Sequence, residues 1–134
     1  MTTLKSERLD IRSSDDVVRV RQLARTLALE AGLSLVDQTK IITAASELAR
    51  NTLDYGGGGL ASVELIEVSP RRGVRLTFED KGPGIADIDA ALKDGFTTGK
   101  GMGLGLGGAK RLSNEFSIQS KPGEGTKVVI ARWK

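Results

Sequence analysis

Apolar residues recur at a helical period of about 3.6 in two stretches of the N-terminal half of the chain. The first stretch follows Ser13 and Ser14, whose short side chains suit a helix start, and stops at Gly32. The second follows Ser34 and covers residues 36–55. The pattern predicts two amphipathic helices whose core faces carry Val20, Leu23, Ala24, Leu27 and Ala31 in the first, and Ile41, Ala45, Leu48, Ala49 and Thr52 in the second.

Alternating apolar and polar residues predict strands around this helical pair. The strands are expected at residues 4–11, 60–68, 74–80, 116–120 and 127–133, with turns at 70–73 and 121–125 and short helices at 87–93 and up to about 114. Asp80 shares the parity of Leu76 and Phe78, so it is expected to point toward the core. The order predicts an α/β two-layer sandwich, with a mixed, mostly antiparallel sheet and helices on one face.

Length and composition narrow the class of protein. The 134 residues suit one domain, 1–134, and the absence of cysteine and histidine excludes disulfides, thiolate sites and histidine-based catalysis. The net charge of +3 comes from scattered basic residues with few aromatics, so nucleic acid is not an expected partner. No apolar run is long enough for a membrane span and no signal peptide is recognised, so we expect no membrane association and a cytoplasmic location.

A glycine-rich stretch at residues 95–112 is the first candidate for chemistry. Glycines occupy every second position in one part of it, at Gly99, Gly101, Gly103, Gly105 and Gly107. Glycine lets the backbone approach a ligand closely, and a loop that feeds a helix N-terminus presents free N–H groups to an anion. The stretch therefore suits a polyphosphate, although a surface loop without a ligand remains the alternative.

Glu47 and Asn51 are the second candidate, because a separation of four residues places both on one face of the second helix. A carboxylate and an amide projected together can serve a proton transfer and a divalent cation. The alternative is a solvated polar helix face.

The third and fourth candidates lie at strand ends. Asp80 precedes a Lys-Gly-Pro-Gly loop, and an inward carboxylate needs a hydrogen-bond donor such as the amino group of a purine. Thr126 follows Gly125 at the start of the last strand. Ordinary turn chemistry would also account for each of them.

Together and in this order, the four features resemble the ATP-binding domain shared by gyrase, the Hsp90 chaperones, histidine kinases and the mismatch-repair ATPase, the GHKL or Bergerat-fold family. The resemblance covers nearly the whole chain. It implies that Asn51 binds Mg²⁺, that Asp80 with Gly82 and Gly84 holds adenine, and that Thr126 supports the adenine site. It also implies a lid that contacts ATP through Lys100, Gly101, Met102, Gly103, Leu104, Gly105, Leu106 and Gly107.

Residues 47–51 (Glu-Leu-Ala-Arg-Asn), 79–85 and 94–98 are similar, more narrowly, to the bacterial anti-sigma and switch-protein serine kinases, including those of the stressosome. This resemblance implies an ATP- and Mg²⁺-dependent protein serine/threonine kinase of a partner-switching module. The implied partners are STAS-domain antagonist and scaffold proteins, a downstream phosphatase or other effector, and an alternative sigma factor. Glu47, one helical turn before Asn51, is placed to act as the catalytic base for an incoming hydroxyl.

Two departures from the family pattern concern phosphate contacts. Asp54 stands where histidine kinases commonly carry a basic residue, and Gly99 stands where the anti-sigma kinases carry a lid arginine. Lys100, or Lys110 and Arg111, remain the candidates for this contact.

A regulatory or anti-sigma binding module, in which ATP is mainly structural, is the alternative function. Glu47 favours the kinase, because binding alone needs no base beside the metal ligand.

Overall fold

The computed structural model describes residues 1–93 and 105–134. Five strands and four helices follow one another as β1 (Thr2–Ile11), α1 (Ser14–Ala31), α2 (Leu35–Asp54), β2 (Gly59–Val68), β3 (Arg71–Asp80), α3 (Ile88–Ala91), α4 (Gly105–Arg111), β4 (Glu115–Ser120) and β5 (Thr126–Trp133) in the described ranges. The strands form one sheet in the order β1-β2-β3-β5-β4. Every pairing among the described strands is antiparallel, so the expected sandwich is present without the parallel pair that a mixed sheet would contain.

The core lies between this sheet and the pair α1 and α2, which both pack on its central strands. Alternate side chains of β2 and β3 enter it, including Val63, Leu76 and Phe78, and they meet Ile41 and Leu48 of α2. Burial of such a side chain contributes about 1.5–3 kcal/mol. Exposed ion pairs contribute about 0–1 kcal/mol, so apolar packing rather than surface charge holds the two layers together.

Local sequence explains where the two long helices begin and end. Gly32 ends α1 in the left-handed conformation, with φ of 80°, and the Ser34 side chain accepts a hydrogen bond from the Asp37 N–H at the start of α2. Ser13 stands at the corresponding position of α1 but makes no such side-chain bond. The predicted helix boundaries are therefore confirmed to within a residue or two.

One predicted turn is wrong. Residues 70–73 were expected to form it, but Val68 pairs with Arg71, so the chain turns at Ser69 and Pro70. Gly73 belongs to β3, where a Cβ would lie 2.9 Å from the Trp133 ring. This glycine reflects close packing within the sheet and not a turn.

Arg132 ties three elements together. Its guanidinium donates to the Asp37 carboxylate at 2.8 Å and to the Leu112 carbonyl at 3.2 Å. The strand β5 is thereby fixed to the first turn of α2 and to the segment that follows α4.

Among the described helices, none is long and apolar enough to cross a bilayer.

We expect Ser34→Ala to lower the free energy of unfolding by about 1 kcal/mol, because it removes a side-chain N-cap. Ser13→Ala is the matched control, since the serine at the start of α1 makes no capping bond, and it should cost clearly less. Urea denaturation of both variants checks the difference, and equal losses would show that the Ser34 bond does not stabilise α2.

Candidate active site

A cavity of about 410 Å³ opens between α2, α4 and the ends of β3 and β5. Its walls are mainly apolar and include Leu48, Phe78 and Leu106, whereas Asp80 and Thr126 supply polar groups at the strand ends. This volume and this mixture of many apolar and few polar groups are typical of a small-molecule site.

Asp80 lines this cavity at the end of β3, and the sequence prediction that it points inward is supported by its place among the lining residues. Burial raises the pKa of Asp80, while the main-chain N–H groups of Gly82 and Thr126 oppose that rise. The Gly82 N–H donates to Oδ1 at 2.9 Å, and no described cation pairs with the carboxylate. A partly buried carboxylate of this kind is well suited to accept hydrogen bonds from a neutral donor on a ligand.

Glycines surround Asp80 because there is no room for side chains beside it. A Cβ on Gly56 would lie 2.4 Å from the Asp80 Cβ, and a Cβ on Gly82 would lie 2.7 Å from the Gly56 Cα. Gly125 has a φ of 80°, and a Cβ there would lie 2.1 Å from the Asp80 carbonyl oxygen. The segments at Gly56 and at Gly125 therefore both pack closely against Asp80 and the loop that follows it.

Gly56 was missed as a site residue by the sequence reasoning, which interpreted the four glycines from Gly56 to Gly59 as a loop only. The available signal was their position directly after the helix that carries Asn51. Gly84 also lines the cavity, and its φ of 77° and its contact with the Lys121 carbonyl exclude a side chain.

Thr126 stands directly opposite Asp80 in the pairing of β3 with β5. Its Oγ1 lies 2.8 Å from the Oγ of Ser120, which in turn accepts a hydrogen bond from the Ile85 N–H at 2.8 Å. Ser120 therefore connects the loop after Asp80 with Thr126. The sequence analysis placed Ser120 in a strand but gave it no role, because nothing in the local pattern reveals which hydroxyls meet across two strands.

Glu47 is buried, with 4% of its surface exposed. The alternative of a solvated polar helix face therefore does not hold at Glu47. Its Oε1 accepts a hydrogen bond of 3.2 Å from the N–H of Gly105, the first residue of α4. A carboxylate at a helix N-terminus is electrostatically favourable. Glu47 thus joins α2 to α4, and it is not among the residues that line the cavity.

Asn51 lies one turn further along α2 and does line the cavity. Its side-chain amide makes no hydrogen bond with any described residue. The described part of the chain contains no cluster of three or more carboxylate, histidine or cysteine ligands. The metal-binding role of Asn51 stays a prediction, and it would suit a metal held mainly by a ligand's own oxygens.

The predicted lid is only partly described. Gly105 and Leu106 line the cavity, and Gly107 packs so close to the Leu92 carbonyl that a Cβ would lie 2.3 Å from its oxygen. All three belong to α4. The remaining predicted lid residues, Lys100, Gly101, Met102, Gly103 and Leu104, lie outside the described residues.

Comparison with known proteins shows the family that has this fold. Residues 36–134 match the family described as histidine kinase-, DNA gyrase B-, and HSP90-like ATPase. The chain belongs to this family. The resemblance predicted from the four motifs is thereby confirmed.

Among individual proteins, the chain is similar to the serine/threonine-protein kinase RsbT of Bacillus subtilis, with 47% identity over 88% of this chain and 89% of that protein. It is 27% identical to an anti-sigma F factor of Thermoanaerobacter sp. over 84% of this chain and 82% of that protein.

The fold is also similar to a crystal structure of the RsbU and RsbW domains of a Mycobacterium tuberculosis protein. The TM-score is 0.66 at 20% identity, over 96% of this chain and 32% of that one. At this level of identity the likeness concerns the fold alone.

We expect Gly56→Ala to weaken ADP binding by at least about tenfold, because the added Cβ displaces the Asp80 carboxylate by more than hydrogen-bond geometry tolerates. Gly57→Asn is the control, since nothing lies within 4 Å of a Cβ there and asparagine tolerates the φ of 72°. Calorimetric titration with ADP measures both. Unchanged affinity in Gly56→Ala would contradict the assignment of this cavity.

We expect Asp80→Asn to abolish most nucleotide binding without destabilising the ligand-free protein at neutral pH. Because burial raises the pKa of Asp80 in the folded state, its ionisation opposes folding. Protonated Asp80 therefore favours the folded state at low pH. This contribution to the free energy of unfolding of the wild-type protein should be lost as the pH rises from the unfolded-state pKa of Asp80 through its raised folded-state pKa. The asparagine variant should lack that loss.

Urea unfolding from pH 4 to pH 7 and ADP titration of the same samples check both statements. If Asp80→Asn binds ADP as tightly as the wild-type protein, the Asp80 carboxylate has no role in nucleotide binding. If the stability of Asp80→Asn changes with pH as that of the wild-type protein does, the ionisation of Asp80 is not the cause of that change.

Proposed function

We propose that this chain is an ATP-dependent protein serine/threonine kinase of a bacterial partner-switching module. The proposal rests chiefly on one observation, the meeting of Asp80, Asn51 and Thr126 in a single cavity of a chain 47% identical to a kinase of that class. In this proposal the substrates are STAS-domain antagonist and scaffold proteins. The released kinase activates a downstream phosphatase or another effector.

Adenine occupies the apolar cavity in this proposal. The Asp80 carboxylate accepts from its amino group, and apolar side chains such as Phe78 and Leu106 exclude water from the ring. The phosphates then extend toward the start of α4, where main-chain N–H groups of a helix start suit an anion.

Mg²⁺ suits the Asn51 side of the cavity, because the Asn51 amide oxygen is a hard ligand that accepts no hydrogen bond from any described residue, and Mg²⁺ commonly takes few protein ligands beside phosphates and water. When bound, the ion neutralises phosphate charge during phosphoryl transfer. Asn51 would orient the triphosphate relative to Glu47, one helical turn away.

Glu47 is proposed as the base that accepts the proton of the incoming serine or threonine hydroxyl. The bond from the Gly105 N–H holds its carboxylate in place and couples it to α4. The same bond also supports a second interpretation, in which Glu47 only anchors α4 and the protein is a regulatory or anti-sigma binding module with structural ATP. The similarity to anti-sigma F factors, with an alternative sigma factor as partner, favours keeping this second candidate.

Glu47→Gln and Glu47→Ala separate the two roles, because glutamine keeps an oxygen that accepts from Gly105 but cannot take a proton. If Glu47 is the base, both variants should retain ADP binding and lose phosphoryl transfer by about 10²–10⁴-fold. If the protein is a kinase in which Glu47 only anchors α4, glutamine should transfer near the wild-type rate while alanine fails; if the protein is a binding module, none of the three proteins should transfer phosphate.

Phosphate incorporation into a panel of STAS-domain proteins, alongside nucleotide titration, measures both properties. Asn51→Ala provides the contrast, since it should weaken Mg-ATP binding as well as transfer. Absence of transfer by the wild-type protein to every panel member, with intact ATP binding, would favour the binding module.

A further inference from the structure

Four residues form a row across the sheet at the end of the cavity. Gly59 pairs with Asp80, Asp80 pairs with Thr126, and Thr126 pairs with Ser120. Directly paired residues have side chains on the same face of a sheet. Ser120 is therefore next to Thr126, on the side away from Asp80, and it can reach the cavity only through Thr126.

The hydrogen-bond partners of Ser120 determine where its proton lies. Its hydroxyl has one hydrogen, and it accepts from the Ile85 N–H and lies 3.0 Å from the Gly125 carbonyl oxygen. That carbonyl can only accept, so the Ser120 hydrogen is committed to it. At the third contact, 2.8 Å from the Thr126 Oγ1, Ser120 can then only accept, and Thr126 must donate.

The consequence concerns Thr126. Because its single hydrogen points to Ser120, its hydroxyl offers only lone pairs to any other group. It also cannot donate to the neighbouring Asp80 carboxylate, so the lone pairs that the Gly82 and Thr126 N–H groups do not use remain available to a ligand. The polar end of the cavity thus presents acceptors from two adjacent side chains and calls for donors on the ligand.

We infer that Ser120 is a positioning residue for base selection, which fixes the Thr126 hydroxyl as an acceptor so that the cavity favours a purine with a 6-amino group over one with a 6-oxo group. The inference rests on the proposed nucleotide site and adds a residue that acts without touching the base. A 6-amino group supplies two N–H donors, whereas a 6-oxo group would place a carbonyl oxygen against acceptors. Left unpaired and buried, such an oxygen costs binding free energy.

ADP and IDP are the probes, because IDP replaces the 6-amino group with a 6-oxo group, together with a hydrogen on N1, and leaves the sugar and the phosphates unchanged. The wild-type protein should bind ADP more tightly than IDP. In Ser120→Ala, the Thr126 hydrogen is released and can turn to donate to a 6-oxo group. The ratio of ADP to IDP affinity should then fall by about tenfold, the scale of one hydrogen bond.

Ser120→Thr keeps the hydroxyl and should restore most of the ratio. Ser117→Ala is the matched control, since Ser117 is an exposed residue of the same strand on the opposite face, and it should leave both affinities unchanged. Equal weakening of ADP and IDP by Ser120→Ala would show that Ser120 only supports the loop at Ile85, and would overturn the inference. So would an unchanged ratio.

If Ser120→Ala folds poorly, Thr126→Val alone keeps the inference testable, since it removes the hydroxyl acceptor and should lower the ratio of ADP to IDP affinity, and an unchanged ratio would contradict the inference. Where Ser120→Ala folds, a double-mutant cycle with Thr126→Val tests whether Ser120 acts through Thr126. Valine has the shape of threonine without the hydroxyl, so Ser120 should have nothing left to orient. Ser120→Ala should then change the ratio no further in the Thr126→Val background, and an additional change would contradict the inference. Failure of the wild-type protein to prefer ADP would instead count against the proposed nucleotide site, independently of Ser120.

Discussion

The arrangement of the cavity depends on the Asp80 carboxylate, which lies where the neighbouring backbone leaves no room for further side chains. Asp80 ends β3 at the polar end of an apolar cavity, and Gly56, Gly82 and Gly125 come so close that a Cβ on any of them would collide with it or with its neighbours. A charged group in such a place needs hydrogen-bond donors. Main-chain N–H groups supply part of them, and the remaining capacity faces the cavity.

The two-layer fold provides the elements that meet around this carboxylate. The helix α2 carries Asn51 and Glu47 over the sheet, and the bond from Gly105 to Glu47 joins α2 to the start of α4. Arg132 fixes the other end of this arrangement by linking β5, the first turn of α2 and Leu112. In the proposed function the catalytic and metal-binding residues both lie on α2 and the phosphates lie near α4, so these contacts set the relative positions of the elements that would act on the nucleotide.

Periodicity and turn chemistry predicted most of the fold. The helices, the strands and the inward direction of Asp80 follow from local patterns, because one buried face imposes a period on each element. The role of Gly56, the bond from Gly105 to Glu47 and the hydroxyl chain at Ser120 could not be predicted. They depend on contacts between residues as far apart as Glu47 and Gly105, and on distances that only the assembled layers determine. Gly73 shows the converse, a glycine that suggests a turn but serves close packing inside a strand.

A structure of the protein with bound ADP tests the central claim most directly. The account predicts the adenine ring in the apolar cavity beside Phe78 and Leu106, with its amino nitrogen about 2.7–3.2 Å from an Asp80 carboxylate oxygen. It also predicts that the phosphates extend toward the start of α4. A nucleotide bound with its base away from Asp80 would contradict it.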